Sequence, residues 1–330
     1  MKKSKINAVT IWLALCALSV LIITIIGGYT RLSGSGLSIV EWKPITGTIP
    51  PLNTQEWLAE FAKYKMSPEY NLKNHGMSLE EFKQIFLVEY IHRLIGRIAG
   101  IICFLPFIYF LIKKQLSHIQ IKLLSCICIL GLLQAGIGWY MVSSGLKSDP
   151  YVSHYRLALH LGVAMIIYSI LVWLTTPQLK QFQTIKKLNA HLCCLTALTF
   201  LQIIIGAFVS GLKAGLIYNS FPLMDSKILP DELWNLPNNP FDSPVFVQFV
   251  HRVVAIIIFL YTIHIFIQSR FLKKTHYIFF AILFAVTLQF ILGIITLLMV
   301  SPWPLALAHQ LLAVILLTIL ITTVKQLHYK

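Results

Sequence analysis

The chain has 330 residues, 57% hydrophobic and only 12% charged, against roughly 25% charged in soluble domains. That composition excludes a soluble globular enzyme, a disordered chain, a disulfide-rich secreted domain and a fibrous protein. Its 27 Lys and Arg against 12 Asp and Glu leave +15, which in so apolar a chain reports membrane orientation rather than a nucleic-acid partner.

Eight apolar runs long enough to span a bilayer follow in order: 8–27, 89–112, 119–142, 154–176, 190–210, 247–268, 276–299 and 303–324. Lys2, Lys3 and Lys5 precede the first. That run is too long for a signal-peptide core and no small-x-small cleavage site closes it, so it is expected to be a retained span. Segments 28–88 and 211–246 are too long to be connectors and are expected to be functional. In the first of these, Asn53 and Glu56 suit a capping box opening an amphipathic helix with Trp57, Phe61 and Tyr64 on one face. Ser78 and Glu81 suit a second box, whose helix should run straight on into the second span. Cys16, Cys103, Cys126, Cys128, Cys193 and Cys194 all fall inside spans, without zinc-site spacing, and read as buried inert thiols.

Charge sets the orientation. The N-terminus, the segments 113–118, 177–189 and 269–275, the C-terminal tail and the adjoining Lys122 together hold 14 basic residues and no acid. The opposite side holds the other 13 bases and all 12 acids. The positive-inside rule therefore predicts that both termini are cytoplasmic.

The chain also repeats itself. Glu89-Tyr-Ile-His92-Arg93 corresponds to Gln248-Phe-Val-His251-Arg252, and Leu157-Ala-Leu-His160 to Leu305-Ala-Leu-Ala-His309. Gly27 to Leu37 matches Gly206 to Leu216, and Leu133-Gln134 matches Leu288-Gln289. The expected fold is an all-α integral membrane protein with eight transmembrane helices, arranged as two tandem, parallel-repeat four-helix bundles. The halves are 1–176 and 177–330.

His92, His160, His251 and His309 lie near the outer ends of the even-numbered spans. A lone intramembrane histidine is most simply a hydrogen-bonded core or interfacial residue, but ionisable groups at matched depth, paired by duplication, point to function. Two facing imidazoles in a bundle suit haem iron, whereas zinc would want further ligands. The residue four after each histidine is small (Gly96, Ala164, Ala255, Ala313), leaving room for a planar ring or simply for close helix packing. Arg31, Arg93, Arg97, Arg156 and Arg252 lie near the same rim, where guanidinium suits haem propionates; ordinary interfacial snorkelling is the plain alternative. Glu89, three residues before His92, has Gln248 as its counterpart. A carboxylate beside one pair only suggests different jobs for the halves, although an ion pair with Arg93 would also account for it.

The stretch Gly27-Gly-Tyr-Thr-Arg-Leu-Ser-Gly-Ser-Gly-Leu-Ser, then Glu41-Trp-Lys-Pro-Ile-Thr-Gly, Pro50-Pro-Leu and Glu89-Tyr-Ile-His-Arg-Leu-Ile-Gly-Arg resemble haem A synthase. The likeness is to its alphaproteobacterial and mitochondrial branch and covers essentially the whole chain. It implies an enzyme of the inner membrane that oxidises a methyl group of haem O to a formyl group, through successive hydroxylations, supplying haem A to cytochrome oxidase. It further implies a haem b cofactor on His251 and His309; the rim positions of Arg93 and Arg252 make them the expected cofactor-binding arginines. The substrate haem then lies at His92 and His160, and Glu89 is the essential carboxylate. Some family members carry cysteine pairs in the outer loops and this chain has none. Haem O synthase, an unidentified electron donor and a second copy of the chain stand as open partners, with lipid around the spans and no nucleic acid. Two other readings are compatible with the paired histidines and the repeat: a di-haem b-type cytochrome oxidising quinol, which would carry no modified haem, and a parallel-repeat transporter, whose site should lie near the bilayer midplane.

Overall fold

A computed structural model describes residues 8–177, 186–271 and 276–327. Lys2, Lys3, Lys5, Lys180, Lys273, Lys274, Lys330 and His328 lie outside the described residues.

Ten α-helices make up the described chain: α1 (Ala8–Leu32), α2 (Thr54–Lys65), α3 (Pro68–Leu72), α4 (Leu79–Ile112), α5 (His118–Val142), α6 (His154–Thr175), α7 (Lys186–Gly211), α8 (Pro244–Ser269), α9 (His276–Leu298) and α10 (Trp303–Leu327). Among the described residues there is no strand, only an isolated bridge between Met224 and Lys227. Eight helices, all except α2 and α3, are long and apolar enough to cross a membrane, and they match the eight runs of the sequence.

Local chemistry explains the helix starts. The Ser78 hydroxyl accepts from Glu81 N, while Glu81 accepts from Ser78 N, closing the expected capping box on α4. Ser117 and Gln120 do the same for α5. Ser243 caps α8, with Pro244 at its first position, where the missing N–H costs nothing. Asn53 caps α2 as expected, but the Glu56 carboxylate accepts from Leu52 N, one residue before the cap. The α4 helix carries 34 residues without interruption, about 50 Å at the standard rise. It therefore outreaches a hydrocarbon core of about 30 Å, and its first turns belong to the outer side of the second span.

The chain divides into two compact units, Met1–Ile167 and Tyr168–Lys330. In the first, α1 packs along α4, and Trp12 Nε1 donates to the Ile102 carbonyl at 2.7 Å. Helices α2 and α3 fold over the start of α4 through Phe61, Tyr64, Phe82 and Phe86, with Trp57 at the edge. Phe61 stacks on Phe82 at 4.9 Å. Tyr64 and Phe82 are wholly buried, each such ring contributing about 1.5–3 kcal/mol. In the second unit α7, α8, α9 and α10 form a closed ring in which α10 returns to α7. Leu192, Leu195, Ile265, Phe279, Ile282 and Leu320 fill its centre.

The cysteines require a correction. Cys16 is buried and Cys103 and Cys128 are half-buried, but Cys126, Cys193 and Cys194 are exposed on their helices. Apolar sequence alone does not separate a bundle-facing position from a lipid-facing one, since both are apolar in a membrane protein.

Candidate functional site

The even-numbered spans are α4, α6, α8 and α10, and each carries its histidine against a glycine of a neighbouring helix. A Cβ added at Gly27 would stand 2.9 Å from His92 Cε1, one at Gly138 3.0 Å from His160 Cε1, one at Gly206 3.5 Å from His251 Cε1, and one at Gly293 2.9 Å from His309 Cε1. The glycines are thus cradles for imidazole rings. Four residues before three of them stands a glutamine whose amide reaches across to the backbone of the same histidine. Gln134 Nε2 donates to His160 O at 2.9 Å, Gln202 Nε2 to His251 O at 2.8 Å, and Gln289 Nε2 to His309 O at 3.1 Å.

The rings themselves are left with bonding capacity. Nδ1 of His92, His160, His251 and His309 is buried in every case without a hydrogen-bond partner, an arrangement that native proteins rarely tolerate without a reason. The His251 and His309 rings lie 6.5 Å apart between centroids, at 70° to each other. That separation accommodates one metal ion with bonds of about 2 Å on either side. His92 and His160 stand on α4 and α6 of the first unit, each against its own cradle glycine. Among the described residues no three His, Cys, Asp or Glu side chains converge on a metal-binding point. Paired imidazoles therefore fit an ion that brings its own equatorial ligands, as haem iron does.

Beside His92 lies the buried carboxylate of Glu89, which is 2% exposed. Its Oε2 accepts from Ser38 Oγ at 2.7 Å and from Ile39 N at 2.9 Å. Its Oε1 accepts from Arg93 Nε at 3.1 Å and Nη2 at 2.6 Å. Arg93 also donates to the carbonyls of Ile39 and Glu41. The second unit repeats this grip without the charge. Arg252 donates to Tyr218 O at 2.8 Å and to the carbonyls of Ser220 and Leu223, and Gln248 Nε2 donates to Tyr218 O at 3.1 Å. Arg97 binds the carbonyls of Lys43 and Pro44, and Arg156 that of Tyr140. Each of these four guanidiniums holds backbone carbonyls, so anything they bind at the rim shares them with the loops.

The sequence pattern of the COX15-CtaA family, described as cytochrome oxidase assembly protein, matches residues 10–321. The chain belongs to this family. Among similar proteins, the heme A synthase of Wolbachia pipientis from Culex pipiens (strain wPip) is 49% identical over 93% of this chain and 94% of its own length. The heme A synthase of Rickettsia africae is 44% identical over 96% of both chains. That of Nitrosospira multiformis is 44% identical over 94% of this chain and 90% of its own. The relatives include Wolbachia and Rickettsia, in keeping with the alphaproteobacterial resemblance.

In this family member the histidines, Glu89 and the arginines are legible in the sequence as site candidates, whereas the cradle glycines and the clamping glutamines are not. The pattern Gln-x-x-x-Gly was present at Gln134–Gly138, Gln202–Gly206 and Gln289–Gly293, and its recurrence on odd-numbered spans was the available signal. Ser38, the hydroxyl partner of Glu89, carried no such signal. His264, further along α8 than His251, packs with His191 and Tyr261 at ring distances of 5.8 Å and 6.4 Å.

A second buried carboxylate sits in the outer segment. Glu69, 4% exposed, is pushed up to about 7, first by burial and with Glu89 adding to it; Lys73, the Tyr64 hydroxyl and Arg31 pull the other way. A carboxyl raised in the folded state binds a proton that the unfolded chain has released. Its contribution is complete below about 4.5 and is lost as pH rises through about 7. Thermal unfolding of the wild type should therefore fall between pH 5 and pH 8 by more than in Glu69→Gln, whose profile should be flatter. Equal slopes in the two proteins would remove Glu69 as the cause.

Proposed function

We infer that the chain is a haem A synthase, a membrane oxidoreductase that oxidises a methyl group of haem O to a formyl group. The observation that carries this reading is 49% identity over nearly the full chain to a relative named heme A synthase. The paired cradled imidazoles supply a place for the haem that such an enzyme must handle.

The assignment of parts follows from the differences between the units. His251 and His309 hold a resident haem b: both are clamped through their carbonyls by glutamine, and the neighbouring position is the neutral Gln248. His92 and His160 receive haem O, because only there does a buried carboxylate stand one turn away. Residues 1–176 then form the substrate half and 177–330 the resident-haem half. Arg93 and Arg252 lie at the rims where propionates would be met. When bound, haem supplies the iron-centred oxidation of the methyl group. The chain orients it with the imidazoles, and the Glu89 carboxylate, held by Ser38, Ile39 and Arg93, would stabilise positive charge that develops during that oxidation. The 14 acid-free basic residues put both termini in the cytoplasm and the haem sites toward the outer face of the inner membrane. Oxidation of a methyl to a formyl group calls for an oxidant, either molecular oxygen together with an electron donor or an electron acceptor, and haem O synthase is the source of the substrate.

One observation favours a second reading. The imidazole cradles are alike in both units, as they would be in a di-haem electron-transfer cytochrome. Extraction and chromatography of haems from membranes expressing the protein with a haem O source separates the two. Haem A appearing only with this protein is the expected result. Haem B and unmodified haem O alone would establish the cytochrome.

A further inference from the structure

Three of the four histidines share a complete set of supports: a cradle glycine, a glutamine four residues before it bonded to the histidine carbonyl, and alanine four residues after the histidine. The set is Gln134, Gly138 and Ala164 for His160, Gln202, Gly206 and Ala255 for His251, and Gln289, Gly293 and Ala313 for His309. His92 departs from it twice. Four residues before Gly27 stands Ile23, which has no donor to offer, and four after His92 stands Gly96. These two departures meet: a Cβ at Gly96 would lie 3.1 Å from Ile23 Cδ1, tighter than almost all real contacts of that kind. Ile23 therefore takes up space that an alanine at 96 would need, and the glycine allows it.

We propose that Ile23 makes His92 the releasable ligand of the four, so that one haem site can load and unload while the other keeps its occupant. The physical reason is the number of anchors to the helix that cradles the ring. A side-chain amide bonded to the carbonyl of a histidine ties that turn of helix to its neighbour, and with it the direction of the imidazole. Each such bond contributes about 1 kcal/mol, or a factor of about five in an equilibrium. In the second unit both imidazoles are tied. In the first, His160 is tied, while the His92 turn is held to the outer segment through Glu89 and Arg93 but receives no side-chain hydrogen bond from α1, the helix that cradles its ring. A resident cofactor needs two fixed ligands. A substrate that must leave as product needs one that yields. The inference rests on the reading of His92 and His160 as the substrate pair.

Transfer of haem from the full-length protein in lipid nanodiscs, loaded with haem O and haem B, to excess apomyoglobin provides the test. Wild type should release haem in a fast and a slow phase, and His92→Ala should remove the fast one. Ile23→Gln should slow the fast phase about five-fold, with Ile23→Gln/Gly96→Ala behaving alike, because that pair recreates the other three sites. Ile23→Leu should leave the fast phase unchanged. Gln202→Ile, the converse change, should quicken the slow phase by a similar factor, and it decides the matter if Ile23→Gln does not fold. A fast phase indifferent to Ile23→Gln, or a slow phase indifferent to Gln202→Ile, overturns the proposal. Should the fast phase vanish in His251→Ala and persist in His92→Ala, the substrate-pair reading itself fails, and this inference with it.

Discussion

Glu89→Gln should make no haem A while retaining haem in the second unit, and it should unfold at lower temperature than wild type. Four donors converge on the Glu89 carboxylate: Ser38 Oγ, Ile39 N and two nitrogens of Arg93. An amide has one oxygen to share among them, and its NH2 turns a donor toward donors. Removing one partner of a buried ion pair costs about 3–5 kcal/mol. The lower end applies here, because the Arg93 side chain is 22% exposed and keeps its two loop carbonyls. Ser38→Ala takes away one donor and leaves the charge, so its cost should be about 1 kcal/mol, with haem A still formed. Haem extraction and thermal melting on the three proteins read both effects. Full haem A formation by Glu89→Gln would falsify the role given to this carboxylate.

The second large effect is graded within one pair of histidines. Gly293→Ala places a Cβ 2.9 Å from His309 Cε1, whereas Gly206→Ala places one 3.5 Å from His251 Cε1. The first distance forces the ring to move; the second is ordinary van der Waals contact. Overpacking of the first kind costs about 1–3 kcal/mol, and here it falls on the direction of a ligand. Gly293→Ala should therefore purify with little low-spin haem in the second unit, approaching the loss expected of His251→Ala, while Gly206→Ala should keep nearly the full amount. Haem-to-protein ratios from pyridine haemochrome spectra measure this. Equal retention in the two glycine variants would mean that the cradles do not set the imidazoles. Gly27→Ala, at 2.9 Å from His92, carries the same logic to the first unit, with turnover lost and the resident haem kept.

Much of this was legible because membrane insertion imposes strong constraints on sequence. Every span was visible as an apolar run, and the continuation of α4 from Ser78 into the second span followed from its capping box. The histidines stood out because an ionisable group is expensive in a span. What the sequence did not yield were relations across helices. Nothing in the identity of Gly138 says that an imidazole from another helix leans on it, and Gln134 looks like any polar residue until its amide is seen on His160 O. The arginines teach the same lesson. Their rim positions were plain, but that Arg93 and Arg252 grip Ile39 O and Tyr218 O depends on where a long outer segment folds back. The exposed thiols of Cys126, Cys193 and Cys194 mark a third such limit, since lipid and protein interior select the same side chains.

The unbroken α4 joins two of these relations mechanically. Phe82, Phe86, Glu89 and Arg93 recur at spacings of three and four and so form one stripe, held from above by the aromatic cluster and from the side by Ser38 and Ile39. His92 follows at about 100° per residue on the same rigid body. Pro106, the one proline inside the helix, lies beyond His92, so no joint interrupts the shaft between stripe and ligand. A movement of the outer segment that turns this stripe therefore carries the backbone at His92 with it.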